Sequence, residues 1–267
     1  MNRDRSFYAL TLQTRSLALL THFTAQAGAM LRLGGPRPSL VVVSAGSAQA
    51  RLGRDAWRPT PGEVIALRPG EVLSLDAALP LEGFWLSIAP GPVPVAWAGE
   101  RPAPGELLEA LRAALRESSP ERMHRLEAVT AAAARVLRGA EVPGGPLGRV
   151  ARLALDESIE PPSVADMAAA AGLPPHGLGR RCRCQLGLSP KAFLTTLRLG
   201  RAVELLGRGV APVEVASELD FSDQSHFHRR FVRAFGTTPG AFAQPVGSNL
   251  ASPNRNARTT ASVRLSA

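Results

Sequence analysis

Gln224, Ser225, His226, His228, Arg229, Arg230 and Arg233 all fall within residues 224–233. Five of the chain's nine phenylalanines, at 221, 227, 231, 235 and 242, are interleaved with them or flank them. These polar types at this density can do one kind of chemistry well. An arginine fork matches the edge of guanine, and amides and hydroxyls meet other base edges. At about 100° per residue Phe227, Phe231 and Phe235 share one stripe. Ser222, Ser225, Arg229 and Arg233 fall opposite, with His226 and His228 to either side. A helix anchored behind by aromatic rings and rich in donors in front suits a DNA major groove. The plain alternative is an amphipathic surface helix.

An internal repeat separates the two readings. Residues 178–193, LGRRCRCQLGLSPKAF, align with 227–242, FHRRFVRAFGTTPGAF, at an offset of 49. The alignment pairs Leu178 with Phe227, Arg180 with Arg229, Cys182 with Phe231, Leu186 with Phe235, Pro190 with Pro239 and Phe193 with Phe242. Upstream the offset becomes 48, pairing Gly172 with Asp220, so the second copy has one extra residue in its turn. A repeat of this size is one supersecondary unit used twice. Each copy reads as helix, tight turn, helix. Val164, Met167, Ala168 and Ala171 form a stripe ending at Gly172, and Val213, Val215, Ala216 and Leu219 one ending at Asp220. The second helix of the second copy is expected to start near Ser222, as its N-cap. The first copy's second helix contains Gly177 and Gly179, each costing up to about 1 kcal/mol against alanine. Between the copies, Ser189 and Pro190 open a helix closed by GRG at 207–209. Its roughly 18 residues span about 27 Å, close to the roughly 34 Å of one DNA turn.

The elements that must position these helices come earlier in the chain. Residues 20–90 hold short Val/Leu/Ile-rich segments (SLVVVSAG, AQARLG, GEVIALRPG, EVLSL, GFWLSIAP) punctuated by Gly and Pro. That pattern predicts a small β sandwich or barrel. Helical spacing follows, with Leu107, Leu108, Leu111 and Leu115, then Met123, Leu126, Val129 and Val136 beyond Pro120. These helices either cover the β domain or form a dimer seam. The expected organisation is a β-rich domain over 1–100, a helical cover or dimerisation segment over 101–138, and a linker at 139–146. The helical domain covers 147–244, and a Ser/Asn/Thr/Arg-rich tail at 245–267 is expected to be disordered.

Composition bounds the partners. The 267 residues carry a net charge of +9, and Lys191 is the one lysine among 31 basic residues. Arginine suits phosphates and base edges, although codon bias explains such an excess as well. Cys182 and Cys184 are too close in a regular element to bridge each other. They are either incidental, one in the core and one on the surface, or redox-sensitive. Metal ligands at zinc spacing, a nucleophile–base constellation, a secretory leader and a stretch of about 20 apolar residues are not visible. The expectation is a cytoplasmic protein that is not an enzyme, with no cofactor, no metal and no membrane partner.

The segments FSDQSHFHRRFVRAFGTTPGAF and AAAAGLPPHGLGRRCRCQLGLSPKAFLTTLRLGRAVELL resemble the AraC/XylS family of bacterial transcriptional regulators over about 100 residues. The resemblance implies an α+β protein, with an N-terminal cupin-like β domain flanked by helices and a C-terminal seven-helix domain with two helix-turn-helix units. It implies base reading by His176 and Arg180 in the first unit and by Gln224, Ser225, His226 and Arg229 in the second. Arg183 and Arg233 are placed as phosphate contacts. The implied partners are double-stranded promoter DNA, RNA polymerase, a small effector and a second copy of the chain, with activation as the commonest outcome. The alternative is an architectural protein that binds DNA without sequence preference. Departures from the pattern are Pro174 for a capping serine, Arg181 and Cys182 for apolar residues, and Asp220 for the turn glycine. The β half resembles cupin-like sensors more loosely. It offers only His22 where cupin enzymes need several histidines. Trp57, Phe84 and Trp85, with Trp97, either line an effector pocket or are plain core.

Overall fold

The structure, a computed structural model, describes residues 7–13, 19–88, 107–112, 129–130, 133, 137, 141–156 and 162–243. The expected positions Leu115, Met123, Leu126, Val136 and Trp97, and the 245–267 tail, lie outside them.

Nine strands form two antiparallel sheets among the described residues. They are β1 (Phe7–Gln13), β2 (Leu19–Ala25), β3 (Met30–Gly34), β4 (Ser39–Ala45), β5 (Ala48–Leu52), β6 (Asp55–Trp57), β7 (Val64–Leu67), β8 (Val72–Ala77) and β9 (Leu81–Ser87). One sheet runs β1-β2-β9-β4-β7 and the other β3-β8-β5-β6. β1 lies ahead of the expected β segments, which open near residue 20. That strand pairs with β2 from Phe7↔Ala25 to Gln13↔Leu19.

Alternation along the strands divides the side chains between two cores. Val41, Val43, Phe23 and Trp85 of the first sheet meet Leu31, Leu33, Leu73 and Leu75 of the second. Leu40, Val42, Phe84 and Leu86 point the other way and are covered by Leu107, Leu108, Leu111, Val129, Ala133 and Leu137. This is why β4 reads as a continuous apolar run: both of its faces are buried. The described residues of the helical segment pack on this face of the sheet.

Seven helices follow among the described residues: α1 (Gly145–Leu155), α2 (Val164–Ala171), α3 (Pro175–Leu186), α4 (Pro190–Gly207), α5 (Pro212–Glu218), α6 (Gln224–Phe235) and α7 (Pro239–Ala243). The fold is thus α+β, a two-sheet β domain followed by an all-α domain. Ser189 caps α4 by accepting from the Ala192 N–H at 3.2 Å, with Pro190 in its first turn, as the sequence predicts. From Phe193 to Leu206 this helix is buried almost all round. A helix apolar on every side lies inside a domain, and α4 runs between both helix-turn-helix units and the β domain.

Candidate nucleic-acid interface

The units are α2–α3 and α5–α6. The 49-residue offset holds for the starts of α3 and α6, at 175 and 224, and the 48-residue offset for α2 and α5, at 164 and 212. Both turns need a left-handed backbone: Gly172 has φ 65° and Asp220 has φ 52°. Asp220 is the one non-glycine residue at positive φ among the described residues, and aspartate tolerates that region better than most residues.

The anchoring faces form as expected. Leu178 and Cys182 are fully buried beneath α3 in a core with Met167, Phe193 and Leu197. Leu186 packs on that core only partly buried. Phe227, Phe231 and Phe235 are buried beneath α6, with ring centroids 5.5 and 4.7 Å apart along the stripe. Phe231 also meets Phe242 edge to face at 5.4 Å. Burial pushes the Cys182 thiol up to about 11, partly offset by Arg183, so it is held protonated at neutral pH. Cys184 is exposed, and both cysteines are free thiols.

The N-cap of α6 differs from expectation. Asp223, not Ser222, is the cap: its carboxylate accepts from the His226 N–H at 2.6 Å. That backbone hydrogen bond, chiefly, holds the Asp223 carboxyl below its ordinary range. Ser222 lies one residue too early, and its hydroxyl contacts Asp223 and the His226 ring instead. Helix α3 has Pro174 at its N-cap and so no side-chain cap.

His176, Arg180 and Arg183 are exposed on α3, and Gln224, Ser225, Arg229 and Arg233 are exposed on α6. His226 is the exception among the candidates. Its Nδ1 lies 3.1 Å from Ser222 Oγ, its Nε2 accepts from Arg230 Nε at 3.2 Å, and its ring meets Phe221 edge-on at 5.6 Å. In the neutral ring Nε2 is therefore the acceptor, and Nδ1–H donates to the serine. Both nitrogens are engaged within the protein, so His226 braces the start of α6 rather than presenting a free edge. Arg233 lies near Arg32 of β3. Burial and the Arg233 charge lower the Arg32 pKa.

One matched pair lies outside the residues singled out from the sequence. Arg149 of α1 and Arg198 of α4 are 49 residues apart, and each braces the turn of its unit. Arg149 donates to the Ala170 and Ala171 carbonyls at 2.8 and 2.7 Å. Arg198 reaches the Asp220 carbonyl only at 3.5 Å and its carboxylate at 3.7 Å. Its Nε is buried without a hydrogen-bond partner.

The aromatic trio of the β domain does not make a pocket. Phe84 and Trp85 are consecutive on β9 and so face opposite cores. Trp57 stands at the sheet edge with its Nε1 donating to Glu63 at 2.7 Å. Trp85 stacks on Phe235 of α6, centroids 6.5 Å apart. His22 contacts Glu82 at 2.8 Å and packs against Phe84. Among the described residues no three His, Cys, Asp or Glu side chains gather as a metal site, and no helix is long and apolar enough to cross a membrane.

Comparison with known proteins falls on this same domain. A family model described as "Helix-turn-helix domain" matches residues 167–244. The chain is 32% identical over 102 residues to the HTH-type transcriptional regulator MtrA of Neisseria gonorrhoeae, covering 38% of this chain and 34% of that protein. It is 43% identical over 61 residues to the RCS-specific HTH-type transcriptional activator RclR of Escherichia coli, covering 22% of each. These matches span about a third of the first relative and under a quarter of the second. In fold, the chain is similar to ToxT from Vibrio cholerae O395, with a TM-score of 0.50 at 10% identity over 86% of this chain and 98% of that one. Over residues 167–244 the chain thus carries a helix-turn-helix domain similar to those of these AraC-type transcriptional regulators.

Proposed function

We propose that the protein is a sequence-specific DNA-binding regulator of transcription that reads two successive major grooves with α3 and α6. One observation carries this reading: the same outward arginine, 180 and 229, recurs on two helices anchored to a single buried connector. Arg229, Gln224 and Ser225 read base edges from α6, and His176 and Arg180 do so from α3. Arg183 and Arg233 hold phosphates, which position the protein without specifying sequence. The β domain receives the signal, a small effector or a protein partner, and joins two copies of the chain. Regulation is activation through contact with RNA polymerase, in the cytoplasm. The proposed boundaries are a β domain to 100, a helical cover to 138, and a reading domain to 244 that opens with α1 at Gly145, two residues inside the expected linker of 139–146.

The test is a pair of dissociation constants at one fixed salt concentration, for an operator obtained by binding-site selection and for an unrelated duplex. A ratio of about 10³ or more is expected. A ratio near one makes the protein an architectural DNA binder instead. Arg229→Ala should cost the operator complex about 1–3 kcal/mol and relax preference at one or two base pairs. Arg233→Ala should weaken both duplexes alike and reduce the salt slope by about one. An unchanged selected sequence and affinity for Arg229→Ala removes that residue from base reading.

A further inference from the structure

The segment Gly34-Gly35-Pro36-Arg37-Pro38 joins β3 to β4 and lies directly on α4. Its two glycines meet Gly200 of that helix backbone to backbone: a methyl on Gly200 would collide with the Gly34 carbonyl oxygen and crowd the Gly35 Cα. Glycine within a helix costs about 1 kcal/mol against alanine, and this close approach is the reason for it here. Two prolines stiffen the segment around Arg37. Arg37 Nε then meets Glu204 Oε2 at 2.9 Å, with side chains only 6% and 2% exposed. Arg201 Nη1 approaches the same carboxylate oxygen at 3.3 Å.

Burial has the upper hand over attraction at this pair. Desolvation raises the Glu204 carboxyl despite Arg37, Arg201 and Arg208, and it lowers Arg37 despite Glu204. A buried pair in that balance adds little stability over well-packed apolar side chains. What it supplies is register, since a buried charge displaced from its partner is costly. Helix α4 carries both reading units, so register at Glu204 is register for both.

We infer that the Gly34–Pro38 segment is a docking key for α4, and that Arg37, acting through Glu204, is a positioning residue that holds the two reading helices at one separation. The inference rests on the DNA-reading function for its consequence at DNA, but not for the docking itself. Arg37 touches no base or phosphate. It acts by fixing the helix on which α3 and α6 are mounted, and it gives the β domain a rigid handle on that helix.

The experiment uses the full chain as wild type, Arg37→Met, the double variant Arg37→Met/Glu204→Met, and Gly200→Ala. The first readout is hydrogen exchange of α4 peptides without DNA, beside urea unfolding of the whole chain. Arg37→Met leaves Glu204 buried with only the longer Arg201 contact, and should speed exchange around Glu204 about tenfold. The double variant should recover the urea midpoint but not the α4 protection. The second readout is affinity for operators whose two groove sites are 10, 9 or 11 base pairs apart. Wild type should discriminate about tenfold, and the double variant and Gly200→Ala less than about threefold. Gly200→Ala forces the key off the helix without touching a charge. Wild-type α4 exchange and spacing discrimination in it overturns the positioning role, and so does the same result in a double variant of native stability. If wild type binds no DNA specifically, the proposed function fails, while the exchange readout still decides the docking key.

Discussion

The two helix-turn-helix units have one sequence plan but are held together in opposite ways. In the first, the supporting helix α2 is well finished. Ser163 and Asp166 cap it reciprocally, and Arg149 seals its turn with two short hydrogen bonds. Its reading helix α3 is the weaker part, with no side-chain cap, two glycines and a cysteine at the centre of its buried face. In the second, α5 starts at Ala211 without a side-chain cap, and Arg198 reaches the turn only at long range. Its reading helix α6 is capped by Asp223, braced by His226, and backed by a continuous file of rings. The surroundings differ as well. The first unit has a core largely its own, joined by Val72 of β8. The second shares one core with the β domain, where Phe235 stacks on Trp85. A repeat that preserves a pattern thus does not preserve where its stability resides.

The largest effect that can break this comparison is a core truncation at the matched positions 182 and 231. Both side chains are fully buried. Phe231 contacts Phe227, Phe235 and Phe242, whereas Cys182 is a small side chain in a mostly aliphatic core whose one fully buried ring is Phe193. Phe231→Ala should destabilise the chain by about 3–5 kcal/mol, and Cys182→Ala by about 1 kcal/mol. Urea unfolding of the two variants checks this. Equal losses would mean that the shared core gives α6 no advantage over α3.

A smaller effect sharpens the comparison at the DNA surface. Arg180 and Arg229 are equivalent in sequence and both exposed. A reading helix that must be ordered on binding gives up part of its contact energy. Arg229→Ala should therefore cost the larger part of the 1–3 kcal/mol expected for a bidentate contact, and Arg180→Ala less, about 1 kcal/mol or below. Dissociation constants at one salt concentration decide it. A greater loss at Arg180 makes the first unit the main reader.

Sequence made the units legible because helix period, turn residues and a 49-residue offset all agree over the same stretch. The β sheets were legible where Val and Leu runs meet Gly and Pro. β1 was missed, as it precedes the runs that drew attention. The capping error at Ser222 was a matter of one residue, decided by which of two adjacent polar side chains reaches the His226 N–H. The supposed pocket failed because Phe84 and Trp85 are neighbours on a strand, a fact that already assigned them to opposite faces. The Arg37–Glu204 contact was not legible at all. Its partners are 167 residues apart, and a Gly-Gly-Pro-Arg-Pro turn looks like an ordinary loop until the helix it touches is known.

The smallest predicted effect addresses the weakness of α3 itself. If the first reading helix is limited by backbone freedom rather than by what surrounds it, filling one glycine should help. Gly179 is the suitable position. It lies in the helix interior and is buried, yet a methyl there would meet only the Arg183 guanidinium, at an ordinary 3.6 Å. Gly177 is tighter, because its methyl would come within 3.3 Å of Pro174. Gly179→Ala should therefore stabilise the chain by about 0.5–1 kcal/mol. It should leave affinity for the operator unchanged or raise it by a few-fold, because less ordering remains for the DNA to impose. Urea unfolding and a binding isotherm on the same preparation test both parts. A loss of affinity alongside a gain in stability would place the Gly179 edge of α3 against the DNA itself, where a methyl is not admitted. A loss of stability would mean that packing, not glycine freedom, sets the weakness of the first unit.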